Sequence, residues 1–426
     1  MSTIAPPAAT TSPTPPPRAK SRASRSSTYY LIALAALASI AAVRVLTGAD
    51  EIDSQGSLRA AISATCPILL AALGGLWSER AGVVNIGLEG QILLGTWGAA
   101  FFTYWYDPYV GLVAGAVFGL LGGLIHALAT VTFGVDHIVS GVALNVIALG
   151  LTTFLAEAYF SDLNSQYGRG GAQQLTGLAN PAVITIPGVS DGAGSLAAKH
   201  WFLISDIAAT VAAVTTRISI VTILVFVLVV VTAVVLWRTK FGLRLRSCGE
   251  NPQAAESLGV NVIRHKYLAV LISGGFAGLG GSYLTLVSSP GFHTNQANGR
   301  GYIGLAAMIF GNWRPGGVLL GSGMFGYTDS LRLRDPGTIH ALLLLVGFWL
   351  LVFAAFRIWR KQKIGGIVLG GFGALFIVWF ALTDAVPKDF TSMTPYVATL
   401  LVLAFAAQRL RMPKADGQVY RKGSAG

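Results

Sequence analysis

The sequence has few charged residues for its length. Only 11% of its 426 residues are Asp, Glu, Lys or Arg, whereas 53% are hydrophobic. Apolar runs recur from Tyr29 to Leu410, and a run of roughly 20 such residues crosses a bilayer core as a helix. This composition excludes an ordinary water-soluble domain. It predicts an all-α, polytopic helical bundle embedded in a membrane, with about 10 to 12 spans.

The sequence also lacks the motifs of several enzyme classes. Its two cysteines, Cys66 and Cys248, fall in a span and in a loop and cannot form a disulfide framework. There is no G-x-x-x-x-G-K-[ST] phosphate loop, no spaced Cys/His metal cluster and no nucleophile elbow. We therefore expect that the chain is not an enzyme, does not hydrolyse ATP itself, and holds no metal or cofactor.

Positive charge is concentrated in a few segments. The formal net charge is +12, and the cations cluster in both tails, in residues 357–363 and in the loop 238–266. Such clusters mark the cytoplasmic side of a membrane protein, so we interpret them as topology signals and not as a nucleic-acid surface. The resulting organisation is a disordered cytoplasmic tail (1–28), a transmembrane domain (29–410) in contact with lipid, and a cytoplasmic tail (411–426). The segment 161–217 is then an extracytoplasmic loop.

A short helix is specified inside the cationic loop 238–266. Asn251 can cap free backbone N–H groups, Pro252 suits the first helical position, and Gly259 provides a left-handed stop after Ala254 and Ala255. Isolated helices below roughly 12 residues are marginal in water, so another surface is needed to stabilise this one. Since the chain has no ATPase motif of its own, we interpret the helix as a docking element for an energy-supplying cytoplasmic partner.

Three polar residues inside the apolar runs are candidates for a translocation pathway. Asn85 and Glu89 are four residues apart, which predicts that they share one helix face, and Asn145 lies in the fifth predicted span. An ionisable group in a span is costly and should face a partner or a wet cavity. The alternative interpretation is that these residues form hydrogen bonds that clamp one helix to another.

Two sequence similarities within the chain indicate an internal repeat. The segment 71–75 is echoed by 277–281, and the pattern in 86–97 is echoed in 303–313. The predicted topology sends the two copies through the membrane in opposite directions, the arrangement that many transporters build around a central pathway. The alternative is that glycine-rich packing faces resemble one another, because small residues let membrane helices approach closely.

Four ordered motifs together resemble the permease subunits of bacterial ABC importers, in the branch of nucleoside and simple-sugar permeases related to the ribose and branched-chain amino-acid permeases. The motifs are Glu79–Gly90, Asp136–Asn145, Gly249–Ala255 and Gly301–Gly311. The resemblance covers the chain from about Leu58 to Phe356. The proline-rich tail, the long 161–217 loop and the runs after Lys363 depart from the family pattern.

The resemblance implies a function and a set of partners. The chain would be a multi-pass permease of the bacterial inner membrane, paired with a second related permease, with ATP-binding subunits that hold ATP and Mg²⁺, and with an extracytoplasmic solute-binding lipoprotein. Asn251 to Gly259 would be the coupling helix, and nucleosides would be the first choice of solute, followed by simple sugars. The competing hypothesis is an ion-coupled secondary transporter that uses Glu89 and needs no ATPase.

Overall fold

The computed structural model describes residues 35, 38–167, 174–331, 336–387, 410–421 and 423. The predicted tail 1–28 and nearly all of the last predicted span, 396–410, lie outside these residues. The helices are α1 (Ala38–Thr47), α2 (Gln55–Arg80), α3 (Leu88–Trp105), α4 (Pro108–Ala127), α5 (His137–Tyr167), α6 (Val189–Ala197), α7 (Ile204–Thr215), α8 (Ile220–Arg238), α9 (Lys240–Glu250), α10 (Pro252–Ser257), α11 (Val262–Tyr283), α12 (Arg300–Phe310), α13 (Pro315–Leu331), α14 (Pro336–Trp359) and α15 (Lys363–Leu382). The strands are β1 (Gln174–Leu175), β2 (Val183–Ile184), β3 (Ile218–Ser219) and β4 (Phe292–His293).

The prediction of an all-α, polytopic membrane protein is confirmed. In the described part of the chain, seven helices are long and apolar enough to cross a membrane: α2, α4, α5, α8, α11, α14 and α15. The apolar run that ends near Trp105 predicts a span from Val83, but helix α3 begins only at Leu88. Short π-helical turns extend α4 and α11, at Leu128–Thr132 and Leu284–Ser288.

The core is built from helices that approach one another closely at glycines. Helix α4 packs on α11, where a Cβ on Gly278 would lie 2.2 Å from the carbonyl oxygen of Gly115. Helix α13 packs on α2 in the same manner, and a Cβ on Gly326 would lie 2.1 Å from Oγ1 of Thr65. Only glycine fits such backbone crossings, which is typical of packed membrane helices.

The two copies of the repeat run in opposite directions. Lys266, near the start of α11, donates a hydrogen bond from Nζ to the carbonyl oxygen of Gly82, just past the end of α2 (3.2 Å). The end of α2 and the start of α11 therefore lie at the same end of the bundle. This end also carries α9, α10 and the turn between α12 and α13, and we call it the cationic end.

The opposite end of the bundle carries the short strands, and we call it the strand end. Strand β1 pairs with β4 in antiparallel register, with Gln174 opposite His293, and β2 pairs with β3, with Val183 opposite Ser219. The described residues 174–217 of the segment 161–217 lie here. They are not a plain loop, because they include α6 and α7.

Candidate functional site

The first turn of α3 meets the first turn of α12 at Glu89. Its Oε1 accepts a hydrogen bond from the backbone N–H of Gly299 (2.6 Å) and its Oε2 from that of Gly301 (2.7 Å), and the side chain is buried. The first N–H groups of a helix have no partner within the helix and carry partial positive charge, so a carboxylate there is favourable. Glu89 thus ties the start of α12 to the start of α3.

The backbone around this contact leaves no room for larger residues. A Cβ on Gly301 would lie 2.5 Å from the backbone nitrogen of Glu89, and Gly299 adopts a left-handed conformation with φ of 82°. Between them, Arg300 forms a buried ion pair with Asp329 near the end of α13 (3.0 Å). The start of α12 is therefore held to α3 on one side and to α13 on the other.

Asn145 connects α5 to the same place. Its Oδ1 accepts a hydrogen bond from the backbone N–H of Gly90 (2.7 Å), and its Nδ2 donates to the carbonyl oxygen of Ile86 (3.0 Å) and to the hydroxyl of Tyr302 (2.9 Å). One side chain therefore joins α5, the start of α3 and the first turn of α12. Both polar atoms of its amide have partners within the fold.

Asn85 lies before α3, so the prediction that it shares a helix face with Glu89 is wrong. The chain turns at Gly82 with φ of 81°, and the helix begins only at Leu88. Asn85 is fully buried, and its Nδ2 donates to Oε1 of Gln91 (3.0 Å) and to Oγ of Ser273 on α11 (2.8 Å). Periodicity could not reveal this turn, because the apolar run continues through it.

The three candidate pathway residues therefore lie around the start of α3, where α5, α11 and α12 converge on it. All three are buried, and each makes hydrogen bonds inside the fold. These contacts match the clamp interpretation, in which the residues hold helices together. A role for Asn85, Glu89 and Asn145 in lining the solute pathway stays a prediction.

A second polar cluster lies at the cationic end, on the turn between α12 and α13. Asn312 and Trp313 both adopt positive φ values, 53° and 51°. The indole Nε1 of Trp313 donates to Oε2 of Glu79 (2.6 Å), and its carbonyl oxygen accepts two bonds from Arg80 (2.6 and 3.1 Å). Glu79 is therefore buried beneath this turn, at the cationic end of the bundle.

The coupling-helix candidate forms as the sequence predicts. Asn251 caps α10 by accepting a hydrogen bond from the backbone N–H of Ala254 (3.0 Å), Pro252 is its first residue, and Gly259 stops it with φ of 80°. Ala255 packs inward, whereas Leu258 is 84% exposed. Gln253, Ala254 and Ser257 are exposed as well. Together with Leu258 they form the outward face of α10.

Helix α9 precedes this helix in the same loop, and the sequence analysis did not predict it. Thr239 caps it by accepting a hydrogen bond from the backbone N–H of Gly242 (3.1 Å). Its buried residues include Cys248, and burial raises the pKa of this thiol to about 11. Among the described residues, no group of three or more His, Cys, Asp or Glu side chains is placed to hold a metal ion.

Comparisons with known proteins assign this architecture to a family. Residues 57–355 match the family model described as branched-chain amino acid transport system / permease component. The chain is 33% identical over 364 residues to the nucleoside ABC transporter permease protein NupC of Lactococcus lactis subsp. cremoris (strain MG1363), with 84% of this chain and 93% of that protein covered. It is likewise 33% identical over 365 residues to the guanosine ABC transporter permease protein NupQ of Bacillus subtilis (strain 168), with the same coverage.

A third relative is named for a different substrate. The putative glucose ABC transporter permease protein TsgC13 of Haloferax volcanii (strain ATCC 29605) is 33% identical over 292 residues, which are 67% of this chain and 80% of that protein. No solved structure matches the chain. The family match covers both the meeting point of α3 and α12 and the coupling-helix candidate. The chain therefore belongs to the family of permease components of the branched-chain amino acid transport system type.

Proposed function

We propose that this chain is the membrane-spanning permease subunit of an ABC importer for nucleosides. The observation that carries the proposal is the similarity to NupC and NupQ, which covers 93% of each relative and includes both polar clusters and α10. Simple sugars are the second candidate, because TsgC13 is equally identical over a shorter region.

A partner subunit supplies the energy in this proposal. ATP and Mg²⁺ bind to that cytoplasmic ATPase, which docks on the outward face of α10. Leu258 supports this role, because a leucine that is 84% exposed at the tip of a capped helix suits an apolar groove on another protein. The inward packing of Ala255 supports it as well, since the helix is anchored while its other face stays open.

The orientation follows from charge. Arg238, Lys240, Arg244 and Arg264 are exposed at the cationic end, and such residues favour the cytoplasmic side of the bacterial inner membrane. Both termini are then cytoplasmic, and the strand end faces an extracytoplasmic solute-binding lipoprotein. A second, related permease packs beside this chain, and solute passes between outward-open and inward-open states of the pair.

ATP binding to the ATPase would drive the change between outward-open and inward-open states by displacing α10. A partner shifts a conformational equilibrium only by its different affinity for the two states, so the ATPase must contact α10 differently in each. Movement of α10 reaches the meeting point of α3 and α12 through the cationic end. The hydrogen bonds of Glu89 and Asn145 to the start of α12 and of α3 must then either persist or be replaced while the two repeat halves move.

The ion-coupled secondary transporter is the alternative, and one experiment separates the two. Nucleoside uptake is measured in proteoliposomes containing the chain with and without its candidate ATPase, second permease and binding protein. Uptake is expected only with the ATPase. Leu258→Arg should abolish the uptake, whereas the matched variant Leu258→Met should retain it. Ala255→Arg is a poorer test, because it would disrupt the packing beneath α10. Uptake by the chain alone, unchanged in Leu258→Arg, would refute the importer proposal.

A further inference from the structure

The C-terminal residues 411–420 lie against the cationic end of the bundle, and we call them the C-terminal strap. The backbone N–H of Arg411 donates to Oδ1 of Asn312 on the α12–α13 turn (2.7 Å). The backbone N–H of Ala415 donates to the carbonyl oxygen of Gly249 in α9 (2.9 Å). The strap therefore connects two parts of the chain that are distant in sequence.

The middle of the strap is buried. Ala415 is 4% exposed and Asp416 is 9% exposed. The Asp416 carboxyl faces the carboxyl of Glu79 near the end of α2, with Lys266 and Arg80 close by. The backbone of the strap is close here as well, since a Cβ on Gly82 would lie 3.0 Å from the carbonyl oxygen of Ala415. A third contact of the strap therefore lies at the junction between α2 and α11.

The end of the strap reaches the coupling helix itself. Tyr420 packs against the buried cluster formed by Cys248, Ala255 and Val262. Its hydroxyl lies near the carboxylate of Glu256 in α10. Beside this contact, an open cleft of about 290 Å³ lies between residues 250–253 and the strap, which lines it with residues 414, 415 and 418–420 together with the adjoining Arg421.

The coupling helix has few connections to the rest of the bundle through the chain itself. α10 has six residues, which is too short for a stable independent helix, and it is joined through the chain only to α9 and α11. The α12–α13 turn and the end of α2 have no covalent connection to it nearby. Helix α9 already packs on the end of α2, where a Cβ on Gly249 would lie 2.4 Å from the carbonyl oxygen of Arg80. The strap adds a second connection, because it bonds to α9, packs under α10 and also bonds to the α12–α13 turn.

We propose that the C-terminal strap positions the coupling helix and transmits its displacement to α2 and to the α12–α13 turn. Ala415, Asp416 and Tyr420 are its positioning residues. The inference rests on the proposed function in one respect, namely that α10 is where the ATPase acts. A strap that only fills space would be dispensable for coupling even though it stabilises the fold.

The test compares Ala415→Arg with Gln418→Arg. The first forces a long charged side chain into the buried contact with α9, and the second places the same side chain on an exposed position of the same segment. Tyr420→Ala is a second variant, which removes the contact with α10 and leaves the buried middle of the strap intact. Each full-length variant is assembled with the ATPase, the second permease and the binding protein.

Two readouts are taken for every variant. The first is amide hydrogen exchange of residues 255–260 in the purified permease, which requires no solute and no ATPase. The second is the number of nucleoside molecules taken up per ATP hydrolysed. Loss of about one backbone hydrogen bond should raise exchange roughly five- to tenfold in Ala415→Arg. Uptake per ATP should fall at least fivefold in Ala415→Arg and in Tyr420→Ala, and Gln418→Arg should match the wild type in both readouts.

Each possible result decides the proposal. Faster exchange with lower uptake per ATP supports it. Unchanged exchange in both Ala415→Arg and Tyr420→Ala refutes the positioning role, and faster exchange with unchanged uptake per ATP refutes the transmission role. If the wild type takes up no nucleoside, the proposed function fails, and the exchange comparison still decides whether the strap positions α10.

Discussion

Replacing Glu89 with glutamine tests whether the meeting point of α3 and α12 is held by a carboxylate clamp. Glu89→Gln preserves the size of the side chain but removes its charge, and its amide NH₂ group must then face one of the N–H donors of Gly299 and Gly301. A hydrogen bond to a charged group contributes about 1.5–3 kcal/mol, and a buried charge at a helix terminus contributes up to ~2 kcal/mol. Because these two effects overlap, we expect a loss of ~3 kcal/mol in the free energy of unfolding.

The cysteines provide the assay for this prediction. Cys66 and Cys248 are both free and buried, so a thiol-reactive fluorophore should label the detergent-purified protein only as it unfolds. Glu89→Gln should lower the midpoint of the thermal transition by roughly 3 °C, because the unfolding entropy of a chain of this length is large. Glu157→Gln, the same change at an exposed position on α5, should leave it unchanged. A Glu89→Gln protein that unfolds at the wild-type temperature but no longer takes up nucleosides would refute the clamp and favour direct action on the solute.

Three other changes test the packing and the cationic end of the bundle. Gly278→Ala would place a Cβ 2.2 Å from a carbonyl oxygen of α4 and should destabilise the fold by ~1–3 kcal/mol, whereas Gly275→Ala, which meets nothing closer than 4.0 Å, should be tolerated in the same thermal assay. Trp313→Phe leaves the buried carboxyl of Glu79 without its 2.6 Å donor and should cost about 1–3 kcal/mol by thermal unfolding. Burial raises the pKa of Asp416 from 3.8 to about 7, so the strap should be most stable below pH 4 and lose stability as the pH rises through 7. Amide exchange corrected for its intrinsic pH dependence should detect this loss, and Asp416→Asn should weaken it.

Features encoded by adjacent residues could be predicted from the sequence. The start of α10 depends on a cap and a proline that are next to each other, and its end depends on one glycine in a left-handed conformation. The long helices depend on apolar runs that lipid requires whatever their neighbours are. Sequence patterns of this local kind therefore located the spans and the coupling-helix candidate close to where they lie.

The partners of the polar residues could not be predicted, because they are far away in sequence. Asn85 bonds to Ser273, and Glu89 bonds to Gly299 and Gly301, so each bond joins residues that are more than 180 positions apart in the chain. The strap was missed for the same reason, since nothing near Asp416 in the sequence indicates a buried position. Deciding between a clamp and a pathway likewise requires knowing what faces each side chain.

The packing of the helices also decides between a true repeat and a chance resemblance of glycine-rich faces. If α2, α3 and α4 correspond to α11, α12 and α13, then the contact of α4 with α11 should have a counterpart between α13 and α2, and that of α3 with α11 a counterpart between α12 and α2. All four contacts are present in the described part of the chain. Glycine-rich faces that arose separately need not pair in this reciprocal way. The reciprocal contacts and the opposite directions of α2 and α11 therefore identify the resemblance between the segments 71–75 and 277–281 as part of an inverted repeat. In this repeat, Glu89 lies where the corresponding helices α3 and α12 meet.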